Sequence, residues 1–185
     1  QVCISPNRFY KHKKKKDEFA SLMVEKTKKL KIGNGMDKDT LLGPLCTKQR
    51  LEGVEKLVET TKKEGGKVLL GGKRAANFNK GYYYEPTIFD DVEDNFTVMK
   101  EEPFGPIVPI LTFKDFDEVM KRANDNDLGL CSYIYTTDLK KANKASELIE
   151  SGCVAVNTPV VAVAEAPFGG IKQTGYGREG GSMAI

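Results

Sequence analysis

The sequence predicts an α/β fold, a mainly parallel sheet with flanking helices. Three observations predict it. The hydrophobic period switches repeatedly between about two and about 3.6 residues along the chain. Helical stretches with their own capping residues alternate with short apolar runs of strand length. No internal repeat or linker breaks that alternation, so residues 1–185 are expected to form one domain built from crossover units.

Each element has its own justification, in chain order. "NRFYKH" reads as a short strand, and a helix is expected from about Lys14 to Leu30. Phe19, Leu22, Met23, Lys26 and Leu30 alternate apolar and charged faces there at helical spacing. "IGNGMDKDTLLGP" is a glycine-punctuated loop. Thr47 can cap the next helix, whose stripe is Leu51, Val54, Leu57, Val58 and Thr61 and whose end lies near Gly65–Gly66. "KVLLGG" is a short buried strand, and "GYYYEPTIFDDV" a longer one interrupted at Pro86. "GPIVPILTF" is a strand, followed by a helix from about Asp115 to Asn124 with Phe116, Val119, Met120 and Ala123 inward. "LCSYIYT" is a strand. Asp138 caps a helix that places Leu139, Ala142, Ala145, Leu148 and Ile149 inside, and "GCVAVN" is the last strand. Parallel sheets hold ligands on loops beyond the carboxyl ends of their strands. Two loops are candidates here, "KEEPFGP" and the segment after Asn157.

Composition bounds the function. The chain is 39% hydrophobic and 30% charged, ordinary globular values that exclude collagen, coiled coil and disorder. A net charge of +3 gives no case for nucleic-acid binding across the chain. The five lysines and one histidine of Lys11–Lys16 read as the solvated start of a helix, because no arginine cluster or interleaved aromatic accompanies them. No apolar run approaches the roughly 20 residues that cross a bilayer, so no membrane partner is expected. No basic, apolar and small-residue succession opens the chain. Cys3, Cys46, Cys131 and Cys153 form no C-x-x-C pair and His12 is the single histidine, which argues against a metal site. Reduced thiols in a cytoplasmic protein are the expectation.

Read by themselves, the chemical candidates stay open. Cys3 is either a small buried hydrophobe or a nucleophile, with Arg8 and a possible turn at Ser5–Pro6 favouring a thiolate. "EEPFGP" either turns the chain or offers a carboxylate to a polyol such as a ribose, with Phe104 as a flat apolar surface for a ring. "PFGGIKQTGYGREGG" contains six glycines but no phosphate-loop spacing, and "GGKR" at Gly71–Arg74 lacks the upstream glycine of that motif.

Together the pieces say more. Q-x-C at residues 1–3, "NRFY", "GNG…GPL", "GGK", Y-x-E-P-T, "EEPFGP" and P-F-G-G-x-K-x-[ST]-G-x-G-R-E-G occur in an order that resembles the aldehyde dehydrogenase superfamily from Gln1 to Gly181. Within it, "CISPNRFY" and "GYGREGG" are most similar to succinate-semialdehyde dehydrogenases and the related 2-oxoglutarate semialdehyde enzymes.

The resemblance implies the catalytic domain of such an enzyme over 1–185, with its dinucleotide-binding domain, general-base glutamate and oxyanion asparagine lying upstream. It implies that Cys3 is the nucleophile, that Glu102 binds the nicotinamide ribose and that Phe104 packs near the nicotinamide. Asn157 and Phe168 would line the substrate entrance and hold the Cys3 loop. The cofactor would be NAD or NADP, chosen in the other domain and not bound by this chain alone. The substrate would be a small aldehyde, succinate semialdehyde by overall resemblance. Ala162 and Val163, however, occupy the loop where a carboxylate-binding serine is expected. A homo-oligomer is implied with an incomplete interface, because the family continues into a further strand. The other class of function is a non-catalytic remnant or interaction module that keeps the fold.

Overall fold

The computed structural model describes residues 1–182, which fall into two compact units, one from Gln1 to Lys114 and one from Asp115 onward.

The first unit contains strand β1 (Phe9–His12), a 3-10 turn (Lys13–Lys15) and helix α1 (Lys16–Lys28). Helix α2 (Lys48–Lys63), strands β2 (Lys67–Leu70) and β3 (Thr87–Asp90), the single-turn helix α3 (Thr97–Lys100) and strand β4 (Ile107–Phe113) come next. The strands form one sheet in the order β1-β4-β3-β2. β4 lies parallel to both β1 and β3, with Phe9 opposite Ile110 and Thr87 opposite Ile107, and β2 adds antiparallel at the edge. The mainly parallel sheet is therefore present.

Both faces of this sheet are covered, and its central strand β4 is a near-continuous apolar run for that reason. Successive side chains point to opposite faces. Phe89 and Leu111 pack with Leu51, Val54, Leu57 and Val58 of α2, whereas their neighbours Ile88 and Ile110 pack with Ala20 under α1. The five-residue stripe expected on α2 is the set that is buried, and Thr47 caps it by accepting a hydrogen bond from Arg50 N at 3.1 Å. Thr61 sits in that stripe because its hydroxyl donates to Leu57 O at 2.8 Å.

Several expectations are corrected. "KVLLGG" is half-buried rather than buried, because β2 is an edge strand. The long strand around Pro86 shrinks to Thr87–Asp90, while Tyr82 and Tyr84 make only isolated bridges to Leu45 and Arg74. Proline offers no ladder donor. Gly71, at φ +71°, also presses against this point, and a Cβ there would lie 2.2 Å from Pro86 O. Leu22 and Leu30 of the first helical segment are exposed, and Ala20 is its buried residue. The basic run is not all solvent chemistry either. Lys11 is buried because it lies on β1 opposite Thr112, inside the sheet, and not on the helix.

The second unit contains helix α4 (Phe116–Asn124), strands β5 (Leu128–Gly129) and β6 (Cys131–Ile134), helix α5 (Leu139–Leu148) and strands β7 (Cys153–Val156) and β8 (Ile171–Lys172). β6 and β7 pair in parallel with α5 as their crossover, Cys131 opposite Cys153, and β5 pairs antiparallel with β8. Asp115 and Asp138 cap α4 and α5 through Glu118 N and Lys141 N. The apolar residues of α4 are half-buried. On α5 only Ala142 and Ala145 are buried, whereas Leu139 and Leu148, expected inside, are exposed. Two alanines one turn apart make the contact surface, and the leucines flank it. Of "LCSYIYT", residues 131–134 form β6, with the two-residue strand β5 lying just before it, and the short strand β8 and helix α3 carry no periodic signal that sequence could show. Among the described residues, no helix is long and apolar enough to cross a membrane.

Candidate active site

Cys3 lies in a turn closed by a hydrogen bond from Ser5 N to Val2 O at 3.0 Å, and its side chain is exposed. Two residues earlier, Gln1 reaches across to the start of α2. Its Oε1 accepts from Cys46 N at 2.9 Å and its Nε2 donates to Cys46 Sγ at 3.2 Å. The segment carrying Cys3 is thus tied to the residue before the Thr47 cap. Gln1's hydrogen bond holds the Cys46 thiol below its ordinary range, with help from the Thr47 hydroxyl, a backbone N–H and the charge of Arg50.

The same end of α2 meets the "EEPFGP" loop. The Arg50 guanidinium lies 5.6 Å from the centre of the Phe104 ring. A Cβ on Gly105 would approach Val54 Cγ2 to 2.5 Å, so this loop can pass close to the helix only as glycine. Phe104 adopts φ +39°, a left-handed conformation uncommon for an aromatic residue, and is half-buried. Glu102 is exposed, and Pro103 between them is buried. An exposed carboxylate two residues from a half-buried ring places hydrogen-bond acceptors beside a flat apolar surface.

In the second unit, Asn157 follows β7 at φ +57°. Its Oδ1 accepts from Thr136 N at 3.0 Å and its Nδ2 donates to Thr136 O at 2.9 Å. The amide thereby extends the β6–β7 pairing beyond the strand ends. Phe168 is half-buried and exchanges backbone hydrogen bonds of 2.7 Å with Glu179. The "PFGG" segment closes on the start of β7, where a Cβ on Gly152 would lie 2.0 Å from Gly169 O. Ala162 and Val163 are both exposed on their loop.

In the first unit, α2 draws together the segments that carry Cys3, Glu102 and Phe104. Sequence reasoning finds those three but not the ties that join them. Gln1 is visible only as part of Q-x-C, and nothing local pairs it with Cys46, which is 45 residues away. Arg50 reads as one more solvent-facing charge on a helix. Among the described residues, no group of three histidine, cysteine, aspartate or glutamate side chains could hold a metal ion.

Comparison with known proteins adds to this geometry. A family model described as the aldehyde dehydrogenase family matches residues 1–185. Succinate-semialdehyde dehydrogenase [NADP(+)] 2 of Schizosaccharomyces pombe is 39% identical over 185 residues, which cover 100% of this chain and 37% of that protein. Betaine aldehyde dehydrogenase of Brucella anthropi is 39% identical over 187 residues, 100% of this chain and 38% of the relative. The NAD+ complex of aldehyde dehydrogenase from Bacillus cereus superposes with a TM-score of 0.95 at 40% identity, covering 100% of this chain and 37% of that one. The chain thus spans well under half the length of the relatives it matches.

Proposed function

Because the chain belongs to the aldehyde dehydrogenase family, we propose that it carries the nucleophile-bearing catalytic portion of an NAD(P)-dependent enzyme that oxidises succinate semialdehyde to the acid. The single observation that carries this reading is the arrangement at α2, where Gln1 ties the exposed Cys3 segment and Arg50 packs on Phe104.

Cys3 acts as the nucleophile. Its thiolate adds to the aldehyde carbon, forming a C–S bond and a tetrahedral thiohemiacetal. Backbone N–H groups, that of Cys3 among them, donate to the oxyanion. A bound nicotinamide supplies the hydride acceptor that this chemistry requires. Glu102 would accept hydrogen bonds from the ribose hydroxyls of that group, and Phe104 would offer its ring a flat apolar surface. The Cys3 thioester is then hydrolysed, the sulfur leaving as thiolate. The base for that water is the upstream glutamate that the family resemblance implies. Asn157 and Phe168 act at the substrate entrance. Asn157 does so by fixing the backbone beyond β7, since its amide is engaged with Thr136.

Similarity to a succinate-semialdehyde dehydrogenase and to a betaine aldehyde dehydrogenase at the same identity makes the substrate the first thing to test. Initial rates with succinate semialdehyde and with betaine aldehyde, measured in the active enzyme that contains these residues, should give the higher kcat/KM for the carboxylate-bearing aldehyde. Cys3→Ala should abolish NAD(P)H formation with either. Preference for the cationic aldehyde would overturn the substrate, and activity in Cys3→Ala would overturn the nucleophile.

A further inference from the structure

We propose that Glu64, at the far end of α2 from Cys46, is a positioning residue for the Glu102–Phe104 loop. Its carboxylate makes a three-point contact with Thr97. Thr97 N donates to Oε1 and Oε2 at 3.1 and 3.0 Å, and Thr97 Oγ1 donates to Oε1 at 2.6 Å. Helix α3 begins at Thr97, and its cap residue, Phe96, supplies no side-chain acceptor. The first N–H groups of a helix have no partner within it. Glu64 provides an acceptor from 33 residues away.

The chain beyond α3 gives this contact its consequence. The helix is one turn long, its Val98 and Met99 are buried with the α2 stripe, and Glu101 leaves it in an extended conformation. Glu102 is the next residue and is exposed, so its place is set by its flanks. On the downstream flank, Phe104 lies under Arg50 and Gly105 lies against Val54. On the upstream flank, the hold is Glu64 on Thr97. One helix therefore grips the loop at both ends, through its first turns and through its C-cap residue. A one-turn helix cannot hold its own register by propensity, and Glu64 substitutes for the missing length.

This inference rests on the reading of Glu102 as a ribose ligand, and the test separates the two. In the active enzyme that contains these residues, Glu64→Gln should raise KM for the dinucleotide about tenfold while kcat stays within about twofold. Thr97→Ser, which keeps the hydroxyl donor, should retain the parental KM, and Thr97→Val should raise it. In the 185-residue chain itself, Glu64→Gln should speed amide exchange over Thr97–Glu101 about tenfold without changing exchange in β3 and β4. Parental KM and parental exchange in Glu64→Gln would overturn the proposal. Faster exchange with a parental KM would reduce Glu64 to a structural cap and overturn its positioning role. Glu102→Gln with a parental KM would remove the ribose reading itself, whatever Glu64→Gln does.

Discussion

Lys11 Nζ and Asp90 Oδ1 face each other at 3.6 Å inside the first unit, with side chains 5% and 11% exposed. The pair lies just beyond hydrogen-bond length, and both atoms are buried without a hydrogen-bond partner among the described residues. Lys16 shares the site, 3.3 Å from Asp90 Oδ2 and bonded to Asp91. Removing one member of a buried pair leaves the other charge uncompensated, at a cost of about 3–5 kcal/mol, whereas an apolar replacement of similar shape can be neutral. Asp90→Ala should therefore destabilise the chain by roughly 3 kcal/mol, and the double variant Lys11→Met/Asp90→Ala by clearly less. Urea unfolding of the parent, both single variants and the double variant checks this, and strict additivity would refute the pairing.

The same lysine predicts a pH dependence. Burial pushes the Lys11 ammonium below its ordinary value of 10.5, against the opposing pull of Asp90. Over the range just below 10.5, the unfolded chain then holds more protons at this residue than the folded one, so stability at this site rises with pH. Lys16 is shifted the other way, chiefly by its hydrogen bond to Asp91, and its contribution is lost only above 10.5. Compared at increasing pH up to 10.5, the parent should gain stability relative to Lys11→Met. A parallel pair of stability curves would contradict this.

Cys46 should be the thiol whose reactivity depends on Gln1. A lowered thiol pKa means more thiolate at neutral pH. Gln1→Leu removes the donor to Sγ and should slow iodoacetamide labelling of Cys46 near neutral pH by roughly two- to fivefold. Peptide mass mapping also separates the other sites. Exposed Cys3 should label well before buried Cys153, whose sulfur lies 3.6 Å from Gly169 O. Cys46 labelling that ignores Gln1→Leu would show the side-chain contact to be without effect.

Phe89 is fully buried at the junction of β3 and α2. Phe89→Ala should cost about 3–5 kcal/mol, whereas the same truncation at exposed Tyr135 should cost within about 0.5 kcal/mol. Chemical denaturation of both variants distinguishes a core position from a surface one.

Residues 1–185 by themselves should form no NADH or NADPH from succinate semialdehyde. They match 37% of the Schizosaccharomyces pombe relative, and the family resemblance puts the dinucleotide-binding domain, general base and oxyanion asparagine outside them. Positioning alone can be worth about 7–11 kcal/mol, and a general base about 10²–10⁴-fold. One oxyanion donor adds about 3–4 kcal/mol. Cofactor absorbance reports turnover directly. Turnover that disappears in Cys3→Ala would show that other residues of this chain supply those groups.

By itself, the sequence determined the period of each long element, the stripe on α2 and the caps at Thr47, Asp115 and Asp138, because these depend on residues within a few turns of one another. It also brought Cys3, Glu102 and Phe104 into view, through the order and spacing of short motifs. Tertiary structure decided what lies far apart in the chain. It placed Lys11 against Asp90, Gln1 on Cys46, Arg50 over Phe104 and Glu64 on Thr97. It also decided that Leu139 stays exposed while Ala142 is buried, and that Asn157 spends its amide on Thr136. Local periodicity can rank a position as apolar or polar. A lysine within a basic run becomes a buried ion only when a parallel strand pairing sets it beside a carboxylate far along the chain, a relation that no local pattern encodes.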